Sequence, residues 1–347
     1  MATLKDIAGL CGVSITTVSY VLNNSDRKVL PATRDRVLTA MAQLNYQPNA
    51  HARALKGVRT PVVGVVFPHV TTPFTNVYFG PVLEGIVSVA TERKMATMLF
   101  TGFTWEETES GAQRLFTGIC DGFILIAPRR DSQFARDALK RAIPLVIVGA
   151  SPIEPNATVV DADNKAGGRM ATQHLLELGH RRIAMVLAKE PPNATGPADL
   201  DGPTTSSLER QEGYLEALRS YGITPDSALT ATISHEAEPS GRAIASLLQD
   251  HRPTAVFGFN DGAAYRTIEV CRELGIRVPE EMSVVGFDDI ASAATYDPPL
   301  TTIRQPITEI GAKAVEVLCD QIDGRNRRGE RVLMDVQLIQ RGSTAPI

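Results

Sequence analysis

Within its first 23 residues the chain commits to two short helices separated by a tight turn. Thr3 stands just before Leu4-Lys5-Asp6-Ile7-Ala8, and with Asp6 three positions on it makes a variant of the capping box. Ile7 and Ala8 form the inward face, and Ala8 is small enough for a close helix crossing. Gly12-Val13-Ser14 supplies the turn, and Ser14 caps a second helix on which Val18, Val21 and Leu22 recur at helical spacing. Ile15, Thr16, Thr17, Ser19 and Tyr20 are left on its outer face. A capped pair of this kind is how a protein seats one helix in the DNA major groove. A small helical hairpin with no such role has the same local pattern, so the rest of the chain has to decide.

Charge is the first discriminator. Residues 1–60 hold eight Lys or Arg against three Asp, a net of +5 inside a chain of net charge -4, so the remainder carries -9. A basic head on an acidic body indicates that the head meets a polyanion and the body does not. At 347 residues, 43% hydrophobic and 21% charged, the chain is long and apolar enough for two or three packed domains. It has no apolar run of membrane-spanning length and no basic-then-apolar leader, which predicts a cytoplasmic protein without membrane contact. Cys11, Cys120, Cys271 and Cys319 lack ligand-like spacing and read as thiols of a reducing compartment.

Pro31 opens a third helix carrying Val37, Leu38, Met41 and Leu44 at helical spacing. Tyr46-Gln47-Pro48-Asn49 breaks it, and the short stretch Ala50–Lys56 before Gly57 has too little apolar surface to fold on its own core. From Pro61 the texture changes to buried strands alternating with amphipathic helices. The strands are Val62–Phe67, Ala96–Phe100, Gly122–Ala127, Leu145–Val148, Arg182–Leu187, Ala255–Phe259 and Met282–Phe287. The helices between them include Leu83–Arg93, Gly168–Leu178, Ser207–Ser220, Gly241–Gln249 and Ala263–Leu274. This alternation predicts parallel sheets covered on both faces, arranged as two similar lobes on either side of the His180 region, with crossings near 290 and 323. A ligand would then sit in the cleft beyond the strands' carboxyl ends. There is no phosphate loop, dinucleotide fingerprint or nucleophile elbow, and the histidines, His174 and His180 among them, read as structural. No metal and no cofactor is called for.

Read in order, the motifs resemble the LacI/GalR family of bacterial transcription regulators along nearly the whole chain. They are Thr3–Ala8, Gly12-Val13-Ser14, Thr17-Val18-Ser19, Asn45–Asn49, Ala52-Arg53-Ala54-Leu55, His174–Ala184, Ser283–Asp289 and Pro299–Ile303. The resemblance implies an all-α helix-turn-helix head over 1–48, a hinge helix and linker over 49–60, and an α/β periplasmic-binding-protein-like core over 61–347. Within that core, lobe one is expected over about 61–162 and 291–322, and lobe two over about 163–290 and 323–347. It also implies a homodimer on a near-palindromic double-stranded operator and a sugar-like effector in the interlobe cleft.

In the head, the resemblance places Ile15, Thr16 and Tyr20 at base-reading positions, and Thr3, Ser14, Thr17, Ser19 and Asn23 at phosphate-contacting ones. Many relatives carry arginine where Tyr20 stands, so the common operator is not expected at that base pair. The hinge set Ala52, Arg53, Leu55 and Lys56 is expected in the minor groove, with Leu55 as the wedge that unstacks a base step. For the effector the resemblance implies Phe74, Asp163, Arg210, Asn260, Asp261 and Asp288. Carboxylates, an amide and an arginine around an aromatic face suit a polyhydroxylated ligand.

Two departures stand out. Where many relatives have an aromatic platform before Ser240-Gly241, this chain has His235-Glu236-Ala237-Glu238, and Lys189–Ser206 replaces a short turn with a long Pro-, Gly- and Asp-rich segment. The absence of a heptad tail after Ser343 is expected to leave dimers rather than coiled-coil tetramers. The function expected is therefore an effector-controlled repressor. A solute-binding protein without regulatory role would share the core but not the basic head, and an enzyme would need a nucleophile, metal set or phosphate loop beside its carboxylates.

Overall fold

The computed structural model describes residues 2–22, 29–46, 61–67, 77–101, 115–116, 118–130, 132–151, 154–189, 204–233, 237–325 and 328–347. The chain folds as two compact units, 1–60 and 61–347.

Among its described residues the first unit contains three helices, α1 (Leu4–Cys11), α2 (Ile15–Leu22) and α3 (Pro31–Gln43), and no strand. The capping box is complete, since Thr3 N–H donates to Asp6 Oδ2 at 2.8 Å and Asp6 N–H donates to Thr3 Oγ1 at 3.4 Å. Gly12 ends α1 at φ +64°, the left-handed conformation that a side chain would strain, and Ser14 Oγ then accepts the Thr17 N–H at 3.0 Å. Ile7, Ala8, Cys11, Val18, Val21, Val37 and Ala40 form the buried centre. It is a small core, so the caps matter in proportion: losing one costs about 1 kcal/mol.

The second unit contains two six-stranded sheets. The strands are β1 (Val62–Val66), β2 (Ala96–Phe100), β3 (Gly122–Ile126), β4 (Leu145–Val148), β5 (Thr158–Ala162), β6 (Ile183–Ala188), β7 (Thr230–Ile233), β8 (Ala255–Gly258), β9 (Ser283–Asp288), β10 (Thr301–Arg304), β11 (Arg331–Met334) and β12 (Gln337–Ile339). The first sheet runs β11-β5-β4-β3-β1-β2 and is parallel throughout. The second runs β12-β10-β9-β8-β6-β7 and is parallel except for β12. Central strands such as Gly122–Ile126 and Leu145–Val148 are buried along their whole length, as strands covered by helices on both faces must be. The covering helices are α4 (Phe79–Glu92), α5 (Gln133–Lys140), α6 (Asn164–Glu177), α7 (Thr205–Ser220), α8 (Ala237–His251), α9 (Asp261–Glu273) and α10 (Ile307–Ile322).

The lobe boundaries differ from the expected ones. Thr301–Arg304, expected in lobe one, pairs with β9 in the second sheet, Thr301 opposite Val285. Arg331–Met334, expected in lobe two, pairs with β5 in the first sheet, Arg331 opposite Val159. Thr301, Thr302 and Ile303 are buried and continue the second lobe's core, so the chain changes lobe only at Gln305-Pro306, before α10 packs among β3, β4 and β5. After Gly324 the chain stays in lobe one as an alternately exposed edge strand, which has no buried run to reveal its partner. The crossings therefore lie after Ala162, after Arg304 and after Met334 rather than near 290 and 323.

Candidate functional site: the interlobe cleft and the helical head

Arg210 is placed by the packing of its helix. Gly168 on α6 and Gly213 on α7 let the two backbones nearly touch, because a Cβ at Gly168 would lie 2.0 Å from the Arg210 carbonyl oxygen and one at Gly213 would lie 2.0 Å from that of Lys165. Tyr214, one residue further on, is buried and donates its hydroxyl to the Ile183 carbonyl at 2.8 Å, tying α7 to β6. The arginine itself is 6% exposed. Its guanidinium lies 3.6 Å from the Phe287 ring centroid, its Nε donates to Asn164 Oδ1 at 2.8 Å, and its Nη1 donates to the Phe259 carbonyl. Asp288 Oδ1 sits 3.8 Å from that same nitrogen. A cation held over a ring and by neutral oxygens is fixed in orientation while its charge stays available.

Asp288 ends β9 in an unusual backbone conformation, φ +119°, followed by Asp289 at φ +58°. Consecutive positive angles at non-glycine residues cost free energy and need a clamp. Asp289 provides it: its carboxylate accepts from Arg304 Nε and Arg341 Nη2, both at 2.6 Å. The turn so held presents Asp288 to Gln305, whose Nε2 donates to Asp288 Oδ1 at 2.6 Å. Gln305 Oε1 is buried and has no hydrogen-bond partner among the described residues. From the other lobe comes Asp161 at the end of β5, which accepts from Ala162 N at 2.8 Å and Asn164 Nδ2 at 3.0 Å.

These groups converge on a cavity of about 380 Å3 lined also by Tyr78, Phe79, Ser206, Phe259 and Asn260. Burial pushes Asp161 up to about 7, against the pull of the Ala162 N–H and the Arg210 charge. Burial likewise raises Asp288, and Arg210 opposes it. The Tyr78 hydroxyl is pushed well above its usual range by burial and by the two carboxylates. A larger depression of about 740 Å3 shares Val77, Asp288 and Gln305 with this cavity. Its lining is mostly apolar, and its Asp289 and Arg304 are already paired, so the polar side chains converge in the smaller one.

Of the residues expected at the effector site, Arg210, Asn260 and Asp288 line this cavity. Asp163 and Asp261 do not. Asp163 caps α6, accepting from Ala166 N at 2.8 Å. Asp261 is fully buried, accepting from Thr302 Oγ1 at 2.5 Å and Ile290 N at 2.9 Å. The carboxylate that faces the cleft is Asp161, two residues before Asp163, and Gln305 was not anticipated at all. The signal that could have found Asp161 is the short β-branched stretch Thr158-Val159-Val160 just before it, which places the acid at a strand's carboxyl end. Phe74, Glu236 and most of the Lys189–Ser206 segment lie outside the described residues. His174 and His180 are structural: they bond Thr344, Thr254 and Ser283 and anchor the C-terminal segment. No group of His, Cys, Asp or Glu among the described residues could hold a metal ion.

In the head, Ile15 is 48% exposed and Thr16 is exposed beside it, while Tyr20 and Ser19 are half-buried on the same helix. Thr3, Ser14 and Thr17 spend their hydroxyls on the two helix caps, Ser14 Oγ lying 2.8 Å from Thr17 Oγ1. Asn23 and the hinge set Ala52, Arg53, Leu55 and Lys56 lie outside the described residues.

Residues 3–49 match the profile of the bacterial regulatory proteins of the lacI family, and residues 172–344 match the periplasmic binding protein-like domain. Along 99% of its length the chain is 33% identical to 98% of the HTH-type transcriptional repressor PurR of Vibrio atlanticus. The chain belongs to the LacI family. This LacI-family chain is also 34% identical to the HTH-type transcriptional regulator CelR of Thermobifida fusca, covering 98% of both chains. Among solved structures, a CelR–cellobiose complex superposes with a TM-score of 0.73 at 32% identity, over 99% of this chain and 100% of that one. The lac repressor dimer bound to operator and an anti-inducer superposes at 0.75 and 27% identity, over 99% of each. This LacI-family member is a DNA-binding transcriptional regulator, and no described helix is long and apolar enough to cross a membrane.

Proposed function

We propose that the protein is a cytoplasmic repressor that binds a near-palindromic operator as a homodimer and is switched by a neutral, hydroxyl-rich effector in the interlobe cleft. The observation that carries the effector reading is the convergence of Asp161, Arg210, Asn260, Asp288 and Gln305 on one cavity between lobes. Two carboxylates and the Gln305 amide oxygen, unpartnered among the described residues, accept, and Arg210 and Asn260 donate, which is the complement of a sugar or polyol. CelR, a relative over the full chain, has cellobiose in its complex. In the head, Ile15, Thr16 and Tyr20 read base edges, while Thr3, Ser14, Thr17, Ser19 and Asn23 meet phosphates. Ala52, Arg53, Leu55 and Lys56 enter the minor groove.

The second copy docks on lobe one. Met98 and Leu99 are 37% and 38% exposed on β2, the edge of the first sheet, and Val87 is 45% exposed on α4 beside it. An apolar, unprotected edge strand is otherwise an aggregation hazard. The effector then acts by its differential affinity for two lobe arrangements, a coupling of about 1–3 kcal/mol. The test is thermal unfolding of the full chain with a panel of sugars, polyols and nucleosides that includes cellobiose and ribose. A true effector at 100 times its dissociation constant adds about 2.7 kcal/mol. That shift must vanish in Arg210→Ala and Asp288→Ala; a shift surviving both would move the ligand out of the cleft.

A further inference from the structure

Beside the cleft, a second polar cluster joins the lobes without touching the cavity. Glu209 precedes Arg210 on α7, so one rigid helix carries both a cleft residue and this contact. Its carboxylate accepts from Arg331 Nη2 in an ion pair and from Ser151 Oγ at 2.6 Å through one oxygen, and lies 3.4 Å from Asn164 Nδ2 through the other. Thr205 Oγ1, one helical turn earlier, accepts the Ser151 N–H at 3.1 Å. Ser151 follows β4 and Arg331 begins β11, both in lobe one, whereas Glu209 and Thr205 belong to lobe two. None of the four lies on a covalent crossing. A hinge opening of the lobes must therefore break the contacts of Glu209 with Ser151 and Arg331 and of Thr205 with Ser151 together, while Glu209 and Asn164 move as one with lobe two.

We propose that Glu209 is the latch of cleft closure, holding the lobes together through Ser151 and Arg331 and reporting to the cleft through Asn164. Asn164 bridges the two sites, because its Oδ1 accepts from Arg210 and its Nδ2 reaches both Asp161 and Glu209. The latch is built to be reversible. The Glu209 side chain is 13% exposed and that of Arg331 42% exposed, so opening returns both ions to water instead of stranding them in the core. Held closed by charge-assisted bonds and released at little solvation cost, it makes the lobe equilibrium bistable. This inference needs no effector identity and survives a change in the ligand reading.

The experiment uses the full chain with spin labels on Lys140→Cys in lobe one and Arg219→Cys in lobe two. The four native cysteines are buried, which keeps the labels on the two exposed sites. Pulsed dipolar distance measurements without ligand, with the doubly labelled chain diluted into an excess of unlabelled chain so that each dimer carries one labelled protomer, should give one dominant separation. Glu209→Ala should raise the population of longer separations about tenfold, the scale of a lost charge-assisted bond. Arg331→Gln, on an exposed edge strand, should do the same to a lesser degree, and the double variant should exceed neither single variant's sum nor Glu209→Ala by itself. An unchanged distribution in Glu209→Ala, or strictly additive single effects, would overturn the proposal.

Discussion

Replacing Asp161 by Asn tests the electrostatics of the cleft without any ligand. Asp161 is 3% exposed, and burial lifts it from an ordinary carboxylate value to about 7. The folded chain thus keeps a proton on Asp161 that the unfolded chain gives up near pH 4. Between those two values the folded state binds more protons, so stability falls as pH rises and levels off above about 7. Each unit of difference is worth about 1.4 kcal/mol, which makes the loss between pH 5 and pH 8 about 2–3 kcal/mol as an upper bound. At about 2.1 cal/mol/K per residue, a core of this size converts that into roughly 4 °C of unfolding midpoint. The assay is differential scanning calorimetry of the full chain at pH 5 and pH 8. Asp288 and Asp261, also raised by burial, titrate in the same range and give both proteins a common slope, so the decisive quantity is the difference between wild type and Asp161→Asn. The variant should lose about 4 °C less across that interval. Equal slopes would mean that Asp161 is ionised and hydrated in the folded state, which would refute the buried, water-poor environment that raises it.

Three further substitutions probe packing, assembly and base reading. Gly168→Ala puts a methyl group 2.0 Å from the Arg210 carbonyl and should cost about 1–3 kcal/mol by overpacking, seen as a lower calorimetric midpoint. Leu99→Asp places a charge on the exposed edge strand and should shift the chain toward monomer in analytical ultracentrifugation while leaving its circular dichroism unchanged. Tyr20→Arg should move selected operator sequences toward guanine at one symmetric position, with about 1–3 kcal/mol of new discrimination; an unchanged preference would remove Tyr20 from base reading.

Much of the molecule was legible from local chemistry. The capping box at Thr3, the glycine turn at Gly12 and the second cap at Ser14 each depend on residues three or fewer positions apart, and all three formed as expected. Strands with an unbroken apolar run, such as Gly122–Ile126 and Leu145–Val148, were found for the same reason, whereas Thr230–Ile233 and Arg331–Met334, half exposed, and the largely buried Thr158–Ala162 and Thr301–Arg304, interrupted by threonine, aspartate or arginine, carried no such mark. Arg210, Asn260 and Asp288 were legible because each sits inside a distinctive motif. Asp161 was confused with Asp163, and Asp261 was drawn into the site, because an acid at a strand end, on a helix cap or under a neighbouring strand looks alike in one dimension.

The sequence by itself determined the head, its charge, the helix–strand alternation and the residue types available to the cleft, since these follow from neighbours along the chain. Only the tertiary structure decided which lobe owns β10 and β11, that Asp161 and Gln305 join Arg210 and Asp288, and that Glu209 meets Ser151 and Arg331. Those outcomes depend on strand pairing across the sheets and on which way each side chain faces once the lobes have packed, and partners far apart in sequence leave no local periodicity to read.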